Sequence, residues 1–343
     1  MSLSDALADS YEVLKLPDGR QLAYKRIGAP VETCDLVAMY HHGTPSCYME
    51  AFAMHDDAIA LGLHIVTFDR SGIGASTRRR HSSLTTVVED VMALMNHLGL
   101  ERALQIGTSG GGPYAAACAA LHPERTLGLT LIAPVANTAG HNWPLLSKMH
   151  GTDKLTFLLA KYPFGGLWSL HWALRYMANY HGALLLEHMP EGMGPIDGEL
   201  IRSDERVAAA FVPCLKHAYM NGCRGMARDT RVLGTRWDVD ISGVKCPTLI
   251  FVGLEDHSCP PEHARWYESK IQGSKLTIVP GEAHVSLMLR QGKPILTATK
   301  EAQLGSKAPE ETQPAAKAPE EAEPAAKASE EAEPADASTK KIV

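Results

Sequence analysis

The chain has 343 residues, 33 basic and 39 acidic, for a formal charge of −6. Residues 300–343 hold 6 Lys, 9 Glu and 1 Asp, which leaves 27 basic and 29 acidic residues in the body. A near-neutral body argues against a polybasic surface for nucleic acid or anionic lipid. The seven cysteines (Cys34, Cys47, Cys118, Cys214, Cys223, Cys246 and Cys259) are odd in number and form no C-x-x-C pair. A chain of this length needs no disulfide staples, so the expectation is reduced thiols in a cytoplasmic protein. Met1–Ser10 lacks the basic and apolar regions of a signal peptide. No apolar run reaches the roughly 18 residues of a spanning helix, so stable membrane insertion is not expected.

In chain order, Glu12–Leu16 and Gln21–Arg26 flank Pro17-Asp18-Gly19, which predicts a hairpin. Leu36–Tyr40, His64–Phe68, Ala103–Gly107, Leu127–Ile132, Thr248–Val252 and Leu276–Val279 are short continuous apolar runs. Such runs suit strands buried on both faces, the parallel-sheet case. Helices alternate with them. Val87, Val91, Leu94, Met95 and Leu98 share one helical face, with Gly99 as the stop. Gly111–Leu121 carries Pro113 near its start, and Pro261–Ile271 is a further helix. The alternation implies an α/β fold, an eight-stranded, mostly parallel sheet with helices on both faces.

Residues 138–230 break the alternation. They are rich in Trp, Tyr, Leu, Met and His, with helical stretches at Leu155–Lys161 and Leu167–Tyr180 and no clear strand. The expected organisation is a core of residues 1–137 and 231–299, a helical insertion over the sheet at 138–230, and a tail at 300–343. The tail repeats a decapeptide: KAPEETQPAA, KAPEEAEPAA and KASEEAEPAD. Its prolines prevent a continuous helix, and its alanines bury too little surface to offset ordering, so a disordered spacer is expected. Whether it meets a partner is left open.

Gly107-Thr108-Ser109-Gly110-Gly111 fits G-x-S-x-G between a strand and a helix, the context of a nucleophile elbow. Glycines at Gly107 and Gly111 let strand and helix backbones approach. The N–H of Gly110 then points where an oxyanion would form. His41-His42-Gly43-Thr44-Pro45 follows the third strand, the place of a second oxyanion donor. That donor is assigned to Thr44, since Pro45 has no N–H, and the two His are read as structural. The order nucleophile, acid, base then selects Asp256, with Glu255 as alternative, at the end of one late strand. It selects His284 after the last strand. His284 would take the Ser109 proton, and Asp256 would fix its tautomer.

These residues reach a resemblance. The chain resembles the α/β-hydrolase superfamily, and most of all its serine hydrolases with an HG-T-P oxyanion loop, over residues 11 to about 298. The resemblance rests on His42–Pro45, Asp69-Arg70-Ser71-Gly72-Ile73-Gly74-Ala75-Ser76, Gly107–Gly111, Gly253–Asp256 with Pro260, and Gly281–His284. It implies that 138–230 is a lid and that Asp69 and Arg70 serve the fold. The decapeptide tail lies outside the family pattern. A Ser nucleophile argues against carboxylate-nucleophile chemistry such as haloalkane dehalogenation.

No metal or other cofactor is expected. There is no HExxH, and His141, His150, His171, His181, His188 and His217 are read as ordinary lid residues. Trp143, Trp168, Trp172, Tyr176 and Tyr180 make the insertion aromatic, and most of these rings are expected to pack against the core. The remainder would line an apolar pocket. The expected activity is a carboxylesterase acting on a small apolar ester. The alternatives are an amide hydrolase of the prolyl-aminopeptidase kind using Glu187, Glu191, Asp197 or Glu199, an acyltransferase or perhydrolase, and a non-catalytic interaction protein.

Overall fold

A computed structural model describes residues 11–139, 142–162 and 165–304, apart from the side chains of Pro190 and Leu304. The eight strands are β1 (Glu12–Lys15), β2 (Gln21–Gly28), β3 (Leu36–His41), β4 (Leu63–Phe68), β5 (Ala103–Thr108), β6 (Thr126–Ile132), β7 (Thr248–Gly253) and β8 (Lys275–Val279). They form one sheet in the order β1-β2-β4-β3-β5-β6-β7-β8. β2 runs antiparallel to both its neighbours, and β3 to β8 are mutually parallel. The predicted hairpin is β1-β2, with Glu12 opposite Tyr24.

Alternate residues of each central strand feed opposite faces, and each face has its own core. Met39, Phe68, Leu131 and Val252 pack on one face with α2 (Leu84–His97), α3 (Gly112–Leu121) and α11 (Pro261–Lys270). Tyr40, Ile65, Ile132 and Phe251 pack on the other with α1 (His55–Ala60) and α12 (His284–Leu304). This two-sided burial is why the strands read as continuous apolar runs. α2 starts on a capping box, in which the Ser83 hydroxyl accepts from Thr86 N–H and the Thr86 hydroxyl is bonded by Ser83 N–H.

The chain steps from β3 outward to β4, then returns to place β5 on the other side of β3. The connections after β3 and β5 therefore diverge. The crevice beyond the carboxyl ends of those two strands is where open α/β sheets take their ligands.

Between β6 and β7 the described residues form seven α-helices: α4 (Trp143–Lys148), α5 (Gly151–Ala160), α6 (Gly166–Tyr180), α7 (Gly182–Gly192), α8 (Pro195–Ser203), α9 (Glu205–Ala218) and α10 (Arg224–Gly234). No strand occurs among the described residues of this segment. A third apolar cluster sits beneath it, where Leu215, Tyr219 and Met226 meet Cys47 and Ile73 from the sheet loops.

Two expectations need correction. Trp143, Trp168, Trp172, Tyr176 and Tyr180 are exposed, not packed on the core. Four of them recur every fourth residue along α6, so they form one outward row, with Trp172 stacked on Tyr176 at 5.7 Å between centroids. The inward face of α6 is instead held by Leu167, His171 and Ala178. Second, α12 runs on to Leu304, so the tail does not begin at Lys300. The Lys300 ammonium donates to Asp35 Oδ2 at 2.5 Å and to Leu61 O at 2.7 Å, tying the helix end to the entry of β3 and β4. Repeats in 305–343 and the start at Met1–Ser10 lie outside the described residues. No helix among the described residues is long and apolar enough to cross a membrane.

Candidate active site

The elbow forms because two glycines leave room for it. A Cβ on Gly107 would lie 2.7 Å from Gly111 O, and one on Gly111 would collide with the carbonyl oxygens of His41 and His42. With both absent, β5 turns at once into a 3-10 turn (Ser109–Gly111) and α3. Ser109 at the apex has φ +52°, left-handed backbone that a serine adopts only under constraint. Its side chain sits beside Gly43, where a Cβ would come 3.3 Å from Ser109 Cβ.

The candidate base and acid are brought together. His284 Nδ1 and Asp256 Oδ2 are 2.8 Å apart. Asp256 is fully buried, and its other oxygen accepts from Ser258 N–H at 2.9 Å and Cys259 N–H at 2.7 Å. Those bonds fix the carboxylate, which in turn orients the imidazole through Nδ1. Glu255, the alternative acid, turns elsewhere and accepts from Gly281 N–H at 3.0 Å. Burial pushes the His284 pKa down, but Asp256, Asp197 and Asp153 more than offset this and lift it to about 9. No hydrogen bond joins Ser109 to His284 among the described residues. Burial holds the pKa of the Cys259 thiol well above its ordinary value. Catalytic hydrogen bonds are often long in ligand-free sites and tighten with substrate.

Thr44 and Gly110 adjoin, since a Cβ on Gly110 would fall 2.7 Å from Thr44 Oγ1. The Gly43 N–H is already engaged by the Glu50 carboxylate at 2.9 and 3.0 Å. The Thr44 N–H has no acceptor among the described residues. His41 and His42 are buried and bonded to Gln105 Oε1 (2.8 Å) and Gly43 O (2.7 Å). Burial pushes the His41 pKa down to about 4 and that of His42 well below the usual value, so both stay neutral.

Two groups that support the loop after β3, Asp229 and Tyr114, are not marked by any sequence motif. Arg70 is fully buried, and its Nε and Nη2 each bond Asp229, on α10, at 2.8 Å. The same guanidinium donates to the carbonyls of His42 and Gly43 and to Thr44 Oγ1. Thr44 Oγ1 donates to Asp229 Oδ2 at 2.5 Å, and Tyr114 Oη to Asp229 Oδ1 at 2.8 Å. Burial favours a neutral Asp229, but Arg70 holds its carboxyl below the usual range. The loop 42–44 is thus fixed by a desolvated ion pair. Arg70 does serve the fold, as expected, and the fold it serves is that of the candidate oxyanion loop.

Asp197, on α8, plays a part different from the one proposed for it. Its carboxylate accepts from the N–H groups of His284 (2.9 Å), Val285 (2.9 Å) and Ser286 (2.8 Å). A carboxylate on the first turn of α12 satisfies free donors and matches the helix dipole. With three donors on it, Asp197 is not available to bind an amino group. Glu187, Glu191 and Glu199 are exposed. Asp153 on α5 and Glu50 after β3 approach the site, and burial pushes both pKa values up, toward the neutral form.

The spacing of such groups explains why they were missed: Arg70 and Asp229 are 159 residues apart. His171 bonds Tyr219 and Thr230 at 2.8 and 2.9 Å, as an ordinary packed histidine does, and His141 lies outside the described residues. A groove of about 570 Å³ lined by Asn137, Arg236, Trp237, Asp240, Trp266 and Lys270 contains none of the site residues.

Fold and motif order define an alpha/beta hydrolase. The family profile described as alpha/beta hydrolase fold matches residues 39–291, and the chain belongs to that family. Among individual proteins, it is 25% identical over 271 residues to "Uncharacterized hydrolase YcgS" of Bacillus subtilis (strain 168), covering 78% of this chain and 89% of that one. The fold is similar to a thermophilic esterase from Thermogutta terrifontis, with TM-score 0.63, 19% identity and 86% of this chain and 100% of that chain covered. It is equally similar to the enol-lactonase from Burkholderia xenovorans LB400, with TM-score 0.62, 18% identity, and 86% and 100% covered.

Proposed function

We propose that the chain is a serine carboxylesterase acting on a small ester with an apolar acyl group. The observation that carries this reading is the 2.8 Å His284–Asp256 pair at the sheet end where Ser109 is held at positive φ. Ser109 Oγ attacks the ester carbonyl carbon while His284 Nε2 takes its proton. The carbonyl oxygen becomes an oxyanion facing the N–H groups of Thr44 and Gly110. The C–O bond to the leaving alcohol breaks, and His284 returns the proton to that alcohol. Water then attacks the acyl-enzyme with His284 as base, and the acid and free Ser109 are released. Helices α4–α10 act as the lid.

An uncharged substrate fits better than an N-terminal amine. Asp197 is saturated by backbone donors and so is not free to hold an ammonium group. Support from similar proteins is coarser: they are hydrolases, among them an esterase and an enol-lactonase by name.

A fluorophosphonate probe with peptide mapping tests the assignment. Labelling is expected at Ser109 and lost in Ser109→Ala. Absence of labelling in folded protein would favour a non-catalytic role. A panel of p-nitrophenyl esters beside proline anilides separates esterase from amidase, and preference for the anilides would overturn the substrate class.

A further inference from the structure

Three metal-type donors converge where α9 crosses the loops of the sheet, with a fourth, Cys214 Sγ, beside one of them. Cys47 Sγ is 3.4 Å from Cys214 Sγ. His217 Nε2 is 2.8 Å from Asp69 Oδ2. The Cys47 sulfur, an Asp69 oxygen and a His217 ring nitrogen all lie within 4.8 Å of one another. Two donors come from the core: Cys47 stands three residues after Thr44, and Asp69 directly follows β4. The other two, Cys214 and His217, are three apart on α9 and so share one helix face.

We propose that Cys47, Asp69, Cys214 and His217 form a structural Zn²⁺ site that fastens α9 to the loops beside the candidate oxyanion loop. Two sulfurs, one imidazole nitrogen and one carboxylate oxygen are a donor set that suits tetrahedral zinc. All four positions come from protein, which is the closed arrangement of a structural site. The Cys47–Cys214 and His217–Asp69 edges are close to what the ion needs, and Cys214 Sγ, outside the group that lies within 4.8 Å, has to turn inward to complete the set. With Zn–S near 2.3 Å, a tetrahedral edge between sulfurs is roughly 3.8 Å, so the sulfurs part by a few tenths of an ångström. The His217–Asp69 edge opens by a similar amount, and the protein supplies the means. Cys214 is only half-buried, and 10% of the His217 side chain is exposed, so the α9 pair can adjust. Cys47 and Asp69 are fully buried and fixed.

The carboxylate is also oriented from behind. Asp69 Oδ1 accepts from Tyr48 N–H at 2.9 Å, and Oδ2 accepts from Ala75 N–H at 3.0 Å. Such outer hydrogen bonds are what aim a ligand at a metal. Binding balances as Zn²⁺ plus two thiols giving a zinc dithiolate and two protons, with His217 entering as neutral imidazole. The site does not depend on the esterase reading. The sequence concealed it because Cys214-x-x-His217 is an incomplete motif, whose partners lie 167 and 148 residues away.

The test uses the full chain, reduced and dialysed free of metal, then loaded with ZnCl₂ and desalted. Elemental analysis is expected to give one zinc per chain. Loading with Co²⁺ is expected to give thiolate-to-cobalt charge transfer and the visible bands of a tetrahedral site. Cys214→Ser and His217→Gln should each weaken zinc binding by at least roughly 100-fold, by analogy with the effect of losing outer-shell partners. If either variant does not fold, as judged by circular dichroism, the wild-type cobalt spectrum decides alone, because only a thiolate site gives that charge transfer. Less than about one fifth of an equivalent of zinc in the reduced wild type would overturn the proposal. So would unchanged stoichiometry in both folded variants, which places the metal elsewhere. Recovery of a Cys47–Cys214 disulfide together with no zinc uptake under reductant would replace it with a dithiol clasp.

Discussion

At the scale of single residues, the site turns on how carboxylates surround one imidazole. A base works as the neutral species, and the neutral fraction of His284 rises as pH passes its pKa of about 9. The rising limb of kcat/KM should therefore lie well into the alkaline range. The groups facing the ring are Asp256 after β7, Asp197 on α8, Asp153 on α5 and His263 on α11. Asp197→Asn and Asp153→Asn each remove a negative charge that stabilises the imidazolium. Each should move that limb to lower pH, read from full pH–rate profiles. A limb that stays put in both variants would show that these carboxylates do not act on the base. Asp256→Asn should do something else: kcat falls by roughly 10⁴ because the ring loses the correct tautomer, with the thermal midpoint little changed. A loss below tenfold would remove Asp256 from the triad. Asp197 also illustrates where reading the sequence stopped. It was visible as an acid in the helical segment, but its use as a cap on a helix 87 residues later depends on packing that no local pattern encodes.

At the scale of elements, the strands and the elbow were legible because their constraints are local. β3 to β7 are mostly apolar since both faces are covered, and Gly107 and Gly111 mark where two backbones touch. The outward aromatic row on α6 was misjudged for the same reason in reverse: side-chain type alone does not say which face of a helix is covered. The loop 42–44 owes its shape to the Arg70–Asp229 pair, joined only by the tertiary fold. Asp229→Asn leaves a buried guanidinium without its counter-charge, a change that typically costs about 3–5 kcal/mol. Denaturant unfolding should show that loss. In the same variant kcat should fall by roughly 10²-fold, the scale of one oxyanion donor, while KM moves little. Full kcat in a destabilised variant would show that Arg70 supports the fold without positioning Thr44.

At the scale of the whole molecule, the helices between β6 and β7 are more than a cover. Asp229 from α10 holds the loop after β3, Asp197 from α8 caps the helix that begins with His284, and Asp153 from α5 stands near the acid and base. A segment so attached cannot swing away as a rigid body without loosening the groups it would uncover. On the proposed reading, substrate would enter by smaller motions of individual helices or side chains. Replacing residues 143–234 with a short linker should therefore give a protein that a fluorophosphonate no longer labels, instead of an open and faster enzyme. Labelling at the wild-type rate would reduce the segment to a barrier on access.

The outward row on α6 has a spectroscopic consequence. Trp143, Trp168 and Trp172 are exposed, Trp266 is half-buried, and Trp237 alone is buried. Most of the native emission then comes from indoles already in water. Unfolding will shift the emission maximum only slightly, while iodide will quench the native state readily. Melting curves for the variants above are better followed by circular dichroism or calorimetry, and tryptophan fluorescence is better kept for detecting whatever comes to rest on α6.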